Sequence, residues 1–231
     1  MAALLKKWYG PLARGRVWKE SVHLLADLVV GIGLFTAVVT MLSLSVGLMV
    51  TLIGVPLLVA TVVGGRVIGT VERARVAALL GVALPAHAPL QWHGGLWQRA
   101  KQALADRPGW RGLAYGLLML PWGVVTFTAT VVIWSVTLSM ATLPLWGWLA
   151  DPPPAFDLDG VTYEPGEWPL GLLSLGAGLV GVLLLAVVPR VIHGIAAADV
   201  ALARSLLAAN AEEQLQQRVS ELEVSREASV E

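Results

Sequence analysis

The sequence contains no cysteine and little charge. Without cysteine, the chain has no disulfide framework, no thiolate ligands for zinc or an iron–sulfur cluster, and no thiol nucleophile. Charged residues make up 14% of its 231 residues, against about 25% in an ordinary soluble domain. The formal net charge is zero, which on balance excludes a basic nucleic-acid binder and an acidic disordered chain.

The chain has instead three long runs without Asp, Glu, Lys or Arg, at residues 28–65, 112–150 and 168–189. A membrane-spanning helix needs about 20 apolar residues, so the first run has room for two crossings. We therefore predict an all-α polytopic membrane protein, with a membrane domain at 23–192 and four spans near 24–42, 47–65, 113–139 and 169–189. Residues 57–68 and 181–192 share an Arg-Val-Ile triplet, which favours a parallel two-span repeat over convergence.

The charged flanks predict the orientation. Basic residues precede the first span and follow the second, so the positive-inside rule puts both flanks in the cytoplasm, with a turn near 43–47 between the spans. Residues 140–168 carry acids and no base, which favours an outer loop and one span, rather than two, in 112–150. The acids are Asp151, Asp157, Asp159, Glu164 and Glu167. Segments 1–22, 66–111 and 193–231 are then cytoplasmic, and a bacterial plasma membrane is expected.

Six residues are predicted to anchor the spans at the membrane interfaces. Arginine at the end of a span reaches lipid phosphates, and indole rings prefer the headgroup level. The anchors are Arg66, Arg190, Trp110, Trp146, Trp148 and Trp168. Tyr115 and Trp122 are expected beside Trp110 at the inner interface, whereas Trp134 falls within a span and is interpreted as a packing residue.

Few residues offer chemistry. His23 and Asp27 lie four residues apart on one predicted helix face. They are interpreted either as a structural pair or as groups that sense or move protons. The acids of the outer loop either bind a cation or cationic peptide or keep the loop soluble. No hydrolase, zinc-protease or nucleotide-binding motif is present in the sequence, so we expect no catalytic residue, no metal and no cofactor in this chain.

The C-terminal segment is charged and carries a short apolar repeat. Leu215, Val219 and Leu222 follow the 4-then-3 spacing of a coiled-coil seam. Two heptads are too few for an independent coiled coil. They favour a parallel homodimer through a helix that leaves the membrane at 193–231.

Several stretches resemble a known family. Residues 42–57 (LSLSVGLMVTLIGVPL), the following 71–75 (VERAR) and residues 106–127 (DRPGWRGLAYGLLMLPWGVVTF) resemble the "putative sensor" membrane domain of actinobacterial sensor histidine kinases. The tail at 215–231 is similar to the linker helix that enters the dimerisation and phosphoacceptor domain of nitrate-sensor-type kinases. The resemblance covers residues 20–231.

The resemblance implies that the chain is the signal-input module of a two-component sensor kinase. None of the four histidines matches the phosphoacceptor position, and no ATP-binding motif follows, so this chain is expected to end at the kinase boundary. Its expected partners are the lipid bilayer, a second copy of itself and, only through the missing kinase domain, a response regulator; nucleic acid is not expected. The alternatives are a small membrane transporter or channel and a membrane scaffold without signalling.

Overall fold

A computed structural model describes residues 15–90, 94–146, 156–158, 161–163 and 168–209, together with single positions at 10, 92, 215, 218, 219 and 222. The long helices are α1 (Gly15–Gly47), α2 (Gly54–Leu80), α4 (Arg107–Trp146) and α5 (Trp168–Leu207). A short helix α3 (Leu96–Leu104) precedes α4, and a 3-10 turn (Leu48–Thr51) joins α1 to α2. Strands β1 (Phe156–Leu158) and β2 (Val161–Tyr163) form a small antiparallel hairpin.

Four helices of the described chain are long and apolar enough to cross a membrane. They cover Gly15–Thr51, Gly54–Leu80, Arg107–Trp146 and Ser174–Leu207. Large apolar side chains such as Val29, Leu44 and Leu183 stay exposed along them, as expected for helices that face lipid rather than water. The predicted all-α fold with four transmembrane helices is confirmed, with the β1–β2 hairpin as a small addition.

The turn between the first two helices lies later than predicted. Helix α1 continues through the predicted turn at 43–47 and ends at Gly47, and the chain reverses over 48–53. Ser45 does not end the helix, because its hydroxyl donates to the Met41 carbonyl at 2.7 Å within the helix. Leu52 instead takes a left-handed conformation, with φ of 61°.

The third and fourth predicted spans are parts of longer helices. Residues 107–146 form one helix, so residues 140–146 of the predicted outer loop at 140–168 continue α4. Helix α5 passes through Pro189, where the fourth span was predicted to end, and continues to Leu207. Proline removes one backbone donor, but the alanine-rich sequence that follows it favours helix.

The described packing divides the chain into two compact units. The first comprises Met1–Val22 and Phe127–Ile195, and the second comprises His23–Thr126 and Ala196–Glu231. In the first unit the rings of Trp18 and Trp134 stack with centroids 5.1 Å apart, and Trp134 also donates to the Ser21 hydroxyl at 3.1 Å. These contacts agree with the interpretation of Trp134 as a packing residue.

In the second unit, glycines allow close contact between helices. A Cβ on Gly31 would lie 2.6 Å from the Met119 carbonyl oxygen, and one on Gly123 would lie 2.6 Å from the Asp27 carbonyl oxygen. These contacts make α4 antiparallel to α1, since residue numbers rise along one helix as they fall along the other. The charged flanks predict a cytoplasmic start for both helices, whereas in this unit the two helices run in opposite directions. Which of their ends faces the cytoplasm stays a prediction. Flanking charge reports the side of a loop, whereas small residues and partners for buried charges select neighbouring helices.

The end of α5 is fixed by side chains from other helices of the second unit. Arg73 donates to the Leu207 carbonyl at 3.0 Å, and Arg111 donates to the Ser205 carbonyl at 2.5 Å. The Ala209 N–H then donates to the Pro85 carbonyl at 3.2 Å. Because these bonds satisfy carbonyls that a continuing helix would use, α5 ends at Leu207 and the predicted uninterrupted helix over 193–231 is not formed.

Candidate functional site

Polar side chains from α1, α2, α4 and α5 meet inside the second unit. We call this group the buried polar cluster; its members are His23, Asp27, Glu72, Arg75, Tyr115, Trp122 and Asp199. The side chains of His23, Asp27 and Asp199 are fully buried. Charged groups are almost never buried unless they are paired, so the contacts within the cluster decide what it can do.

His23 contacts a carboxylate on one side and a guanidinium on the other. Its Nε2 lies 2.8 Å from Oδ2 of Asp199, and its Nδ1 lies 3.2 Å from Nη1 of Arg75. Arginine has no acceptor atom, so Nδ1 accepts this bond and the ring proton sits on Nε2, which donates to Asp199. This assignment makes the imidazole neutral.

Asp27 is held by Arg75 through one oxygen only. Nη1 of Arg75 donates to Oδ1 of Asp27 at 2.7 Å, and Nε2 of His23 lies 3.8 Å from the same oxygen. The other oxygen, Oδ2, is buried without a hydrogen-bond partner. Asp27 and His23 therefore lie on one helix face as predicted, but each has its shortest contact with a different helix.

Arg75 links this pair to a second carboxylate. Its Nε and Nη2 donate to Oε2 of Glu72 at 3.0 and 2.8 Å, and the Tyr115 hydroxyl donates to the same oxygen at 3.1 Å. Glu72 is almost fully buried, and Tyr115 is fully buried. A single guanidinium thus connects α1 to α2, while the phenol connects α2 to α4.

Trp122 completes the cluster. Its indole Nε1 donates to Oδ1 of Asp199 at 2.9 Å, so both oxygens of this carboxylate accept hydrogen bonds. Trp122 and Tyr115 were expected at a membrane interface, and the structure instead uses their polar atoms inside the second unit. An amphipathic side chain suits a membrane interface and a buried polar cluster equally well, so the sequence alone does not distinguish these two locations.

The cluster has more acidic groups than basic ones. Three carboxyl groups face one guanidinium and one neutral imidazole, and uncompensated buried charge is unfavourable. Nε2 of His23 and the carboxylate oxygens of Asp27 and Asp199 lie within 4.8 Å of one another and offer the donor set of a cation site. Arg75 opposes a metal there, because metal on Nε2 would move the ring proton to Nδ1, where it would face the Arg75 donor. A proton on the free Asp27 oxygen meets no such obstacle.

The predicted interface anchors have hydrogen-bond partners within the protein where their side chains are described. Arg66 forms a bidentate pair with Asp106, with both bonds at 2.7 Å. The indoles of Trp110 and Trp146 donate to Leu104 O and Thr142 Oγ1, respectively. Arg190 donates to the Ala186 carbonyl of its own helix at 2.6 Å. Trp148 and the side chain of Trp168 lie outside the described residues.

Four of the five acids predicted to bind the stimulus lie outside the residues that the structure describes. Asp157 lies in β1, and nothing further is described of its side chain. The other four, Asp151, Asp159, Glu164 and Glu167, fall outside the described residues. The predicted dimer seam is described at single positions: Leu215, Val219 and Leu222 are helical and more than half exposed.

Burial of Asp106 affects its ionisation. Burial alone would raise the pKa of Asp106, but the bonds from Arg66 and from the Gly109 N–H outweigh it, and the pKa lies below its ordinary value of 3.8. Asp106 precedes α4 and therefore lies outside the helices that can span a membrane. Its carboxylate joins α2 to the start of α4.

One comparison with known proteins identifies a family for this chain. No curated protein and no solved structure matches this chain. Residues 6–207 match the family described as "Putative sensor". The match includes every member of the buried polar cluster and ends at Leu207, the last residue of α5. Since it covers most of the chain, this protein belongs to the "Putative sensor" family of membrane domains.

Proposed function

We propose that this chain is the signal-input module of a two-component sensor histidine kinase. It passes a stimulus from the membrane or the extracytoplasmic side to its C-terminal segment. The family supports a sensing role, and the resemblance of residues 215–231 to a kinase linker helix supports the output. In this proposal the chain performs no catalysis itself, and phosphate would reach a response regulator only through a kinase domain joined after the linker.

The buried polar cluster is the observation that carries this proposal. Asp199 receives bonds from α1 and α4 and lies two helical turns before the end of α5 at Leu207. A change of charge or geometry in the cluster therefore acts on the segment that leads to the output. Signalling needs two packings of similar free energy, and a cluster with one unused carboxylate oxygen has room for a second arrangement.

We propose that the output segment forms a parallel homodimer. Leu215, Val219 and Leu222 expose between 53% and 69% of their surface, which a single chain leaves to water. A second copy would cover these side chains in a coiled-coil seam. Rotation of the pair would then transmit the state of the cluster.

The orientation is also a proposal. The charged flanks favour a location in the cytoplasm of a bacterium for segments 1–22 and 193–231, since basic residues precede the first span and follow the second. The antiparallel contact of α1 and α4 favours the opposite side for the start of α4, so labelling decides between the two. The chain contains no cysteine, so single cysteines at Ser229 and at Asp157 can be labelled in intact cells without background. We expect a membrane-impermeant maleimide to label the cysteine at 157 and to leave 229 unlabelled until the cells are opened. Labelling of 229 from outside would contradict a cytoplasmic C-terminus.

A kinase fusion tests the function directly. Residues 1–231 are joined in heptad register to the catalytic core of a histidine kinase, and autophosphorylation is measured in membranes. We expect Asp199→Asn to shift kinase output by about tenfold or more, corresponding to about 1.4 kcal/mol. The matched control is Glu20→Gln, a buried carboxylate outside the cluster that pairs with Arg16 and His193. Equal output from Asp199→Asn, Glu20→Gln and the unmutated fusion would contradict the proposal.

A small transporter is the alternative that the cluster also favours, because buried carboxylates are typical of proton pathways. Reconstituted vesicles with a pH-sensitive dye inside distinguish the two functions. An input module leaves the internal pH unchanged when a gradient is imposed. A flux that Asp27→Asn abolishes would favour transport.

A further inference from the structure

A second site lies in the same unit, away from the buried polar cluster. A cavity of about 400 Å³ opens beside α2, and its lining includes Arg66, Thr70, Arg73, His87 and Leu207. The cavity is mostly apolar, with its cationic groups on α2. Nothing in the proposed signalling function uses it.

The three polar residues of α2 at the cavity lie along one face of the helix. Arg66, Thr70 and Arg73 are spaced at i, i+4 and i+7, which aligns them along the helix. The Thr70 hydroxyl donates to the Arg66 carbonyl at 2.9 Å and accepts from Nη2 of Arg73 at 3.1 Å. Thr70 therefore holds Arg73 in place along the cavity wall.

Arg73 carries positive charge that no described carboxylate neutralises. Arg66 pairs with Asp106, whereas Arg73 donates to the Leu207 carbonyl and to the Thr70 hydroxyl. A guanidinium has five N–H donors, so donors remain for an anion. A guanidinium recognises phosphate well, because its fork of donors matches two phosphate oxygens.

Next to these cations the cavity wall is apolar and exposed. Val67 and Val71 are 59% and 58% exposed, and both line the cavity together with Val63. Val63 lies within the charge-free run that ends at residue 65, and Val67 and Val71 lie beside the row of Arg66, Thr70 and Arg73, so the cavity offers an apolar wall next to a cationic one. A phospholipid offers the matching pair of groups, with acyl chains next to a phosphate. A free inorganic anion would gain nothing from the valines.

We propose that this cavity binds an anionic phospholipid, with the phosphate at Arg73 and Thr70 and an acyl chain along Val63, Val67 and Val71. Basic pockets beside membrane helices at the cytoplasmic surface are sites of this kind. The lipid contacts the arginine that donates to the last carbonyl of α5. Bound lipid therefore affects how firmly the C-terminal end of α5 is held.

Native mass spectrometry of the purified chain tests this proposal. The protein in detergent is titrated with phosphatidylglycerol and, separately, with phosphatidylcholine. We expect phosphatidylglycerol to bind more tightly, and Arg73→Gln to weaken its binding by about fivefold, the contribution of one basic residue near an anionic lipid. The matched control is Arg99→Gln, which removes an exposed arginine of α3 that donates to the Gly94 carbonyl. It should bind phosphatidylglycerol like the wild type.

Additional variants guard against loss of folding. Thr70→Val keeps both arginines but releases Arg73, and Val67→Ser keeps the charges but makes the apolar wall polar. Both should weaken phosphatidylglycerol binding while the helical circular dichroism stays unchanged. Inorganic phosphate at millimolar concentration should not displace the lipid. Wild-type affinity in both Arg73→Gln and Thr70→Val, or displacement of the lipid by phosphate alone, would overturn the proposal.

Discussion

The indole of Trp122 and the carboxylate of Asp199 form a 2.9 Å hydrogen bond between α4 and α5. Asp199 is fully buried, so solvent cannot reach its carboxylate to replace the indole donor. A hydrogen bond to a buried charged group contributes about 1.5–3 kcal/mol to stability. The pair is therefore a local measure of how much the buried polar cluster holds the second unit together.

Replacing Trp122 with Phe should lower the free energy of unfolding by about 1.5–3 kcal/mol, because one oxygen of Asp199 loses its partner. The control is Trp110→Phe. The half-exposed indole of Trp110 donates to the Leu104 carbonyl, and water can replace this bond when the indole is removed. Unfolding in mixed detergent, followed by circular dichroism, measures both. Equal losses from the two variants would contradict the role assigned to Trp122.

Removal of Arg75 should be among the most harmful single changes. Arg75→Gln leaves Asp27 and Glu72 without their cation, and breaking a buried ion pair costs about 3–5 kcal/mol. The double variant Asp27→Asn/Arg75→Gln should recover part of this loss, since one unpaired carboxylate disappears with the guanidinium. Stability no higher in the double variant than in Arg75→Gln alone would contradict this pairing.

Two glycines of α1 should respond oppositely to the same substitution. A Cβ on Gly31 would meet the Met119 carbonyl at 2.6 Å, whereas a Cβ on Gly33 meets nothing within 4 Å. Gly31→Ala should destabilise the protein by about 1–3 kcal/mol through overpacking. Gly33→Ala should stabilise it by about 0.5–1 kcal/mol through higher helix propensity. Thermal unfolding in one detergent compares them, and the same sign for both would contradict the close contact between α1 and α4.

Acid should weaken the contact between α2 and the start of α4. The pKa of Asp106 is lower in the folded protein than its ordinary value of 3.8, so its stabilising contribution is fully present above that value. It is lost as the pH falls through the lower folded-state pKa. Asp106→Asn should remove this part of the pH dependence of unfolding, and the Glu20→Gln variant should keep it. An unchanged acid profile in Asp106→Asn would contradict the assignment.

The proposed dimer can be tested by disulfide crosslinking, because the chain has no cysteine of its own. Val219→Cys lies on the seam and should crosslink on mild oxidation, whereas Arg218→Cys, one residue away, should crosslink far less. Adding Leu215→Asp and Leu222→Asp to Val219→Cys should reduce crosslinking by about tenfold, because buried charges on a seam are unfavourable. Crosslinking that survives both aspartates would exclude this seam.

The four spans followed from charge-free runs, because lipid exposure requires apolar residues over a known length. The turn at 48–53 and the end of α5 could not be predicted in the same way. Ser45 was taken as a turn residue, yet its hydroxyl bonds within the helix, and α5 ends because of Arg73 and Arg111, which come from other helices. Such contacts between distant residues leave no local pattern.

The candidate site was only partly predictable. Spacing within one helix placed His23 and Asp27 on one face, and both belong to the buried polar cluster. Asp199, Glu72 and Arg75 come from other helices, so no spacing in the sequence joined them to this pair. Arg75 was counted with the basic flank, and Tyr115 with the interface, because charge and amphipathic rings are also typical of membrane boundaries.

The turn between α1 and α2 carries little that water would stabilise. Three large apolar side chains of the turn are exposed: Val50 at 93%, Leu52 at 78% and Ile53 at 62%. The Thr51 hydroxyl donates to the Leu48 carbonyl at 2.8 Å. Transfer of such a turn into water would expose several large apolar side chains at once, at about 25 cal/mol for each Å². We therefore expect the tip of this hairpin to lie at the lipid surface on the far side of the membrane, with its apolar side chains against the acyl chains, rather than to project into water.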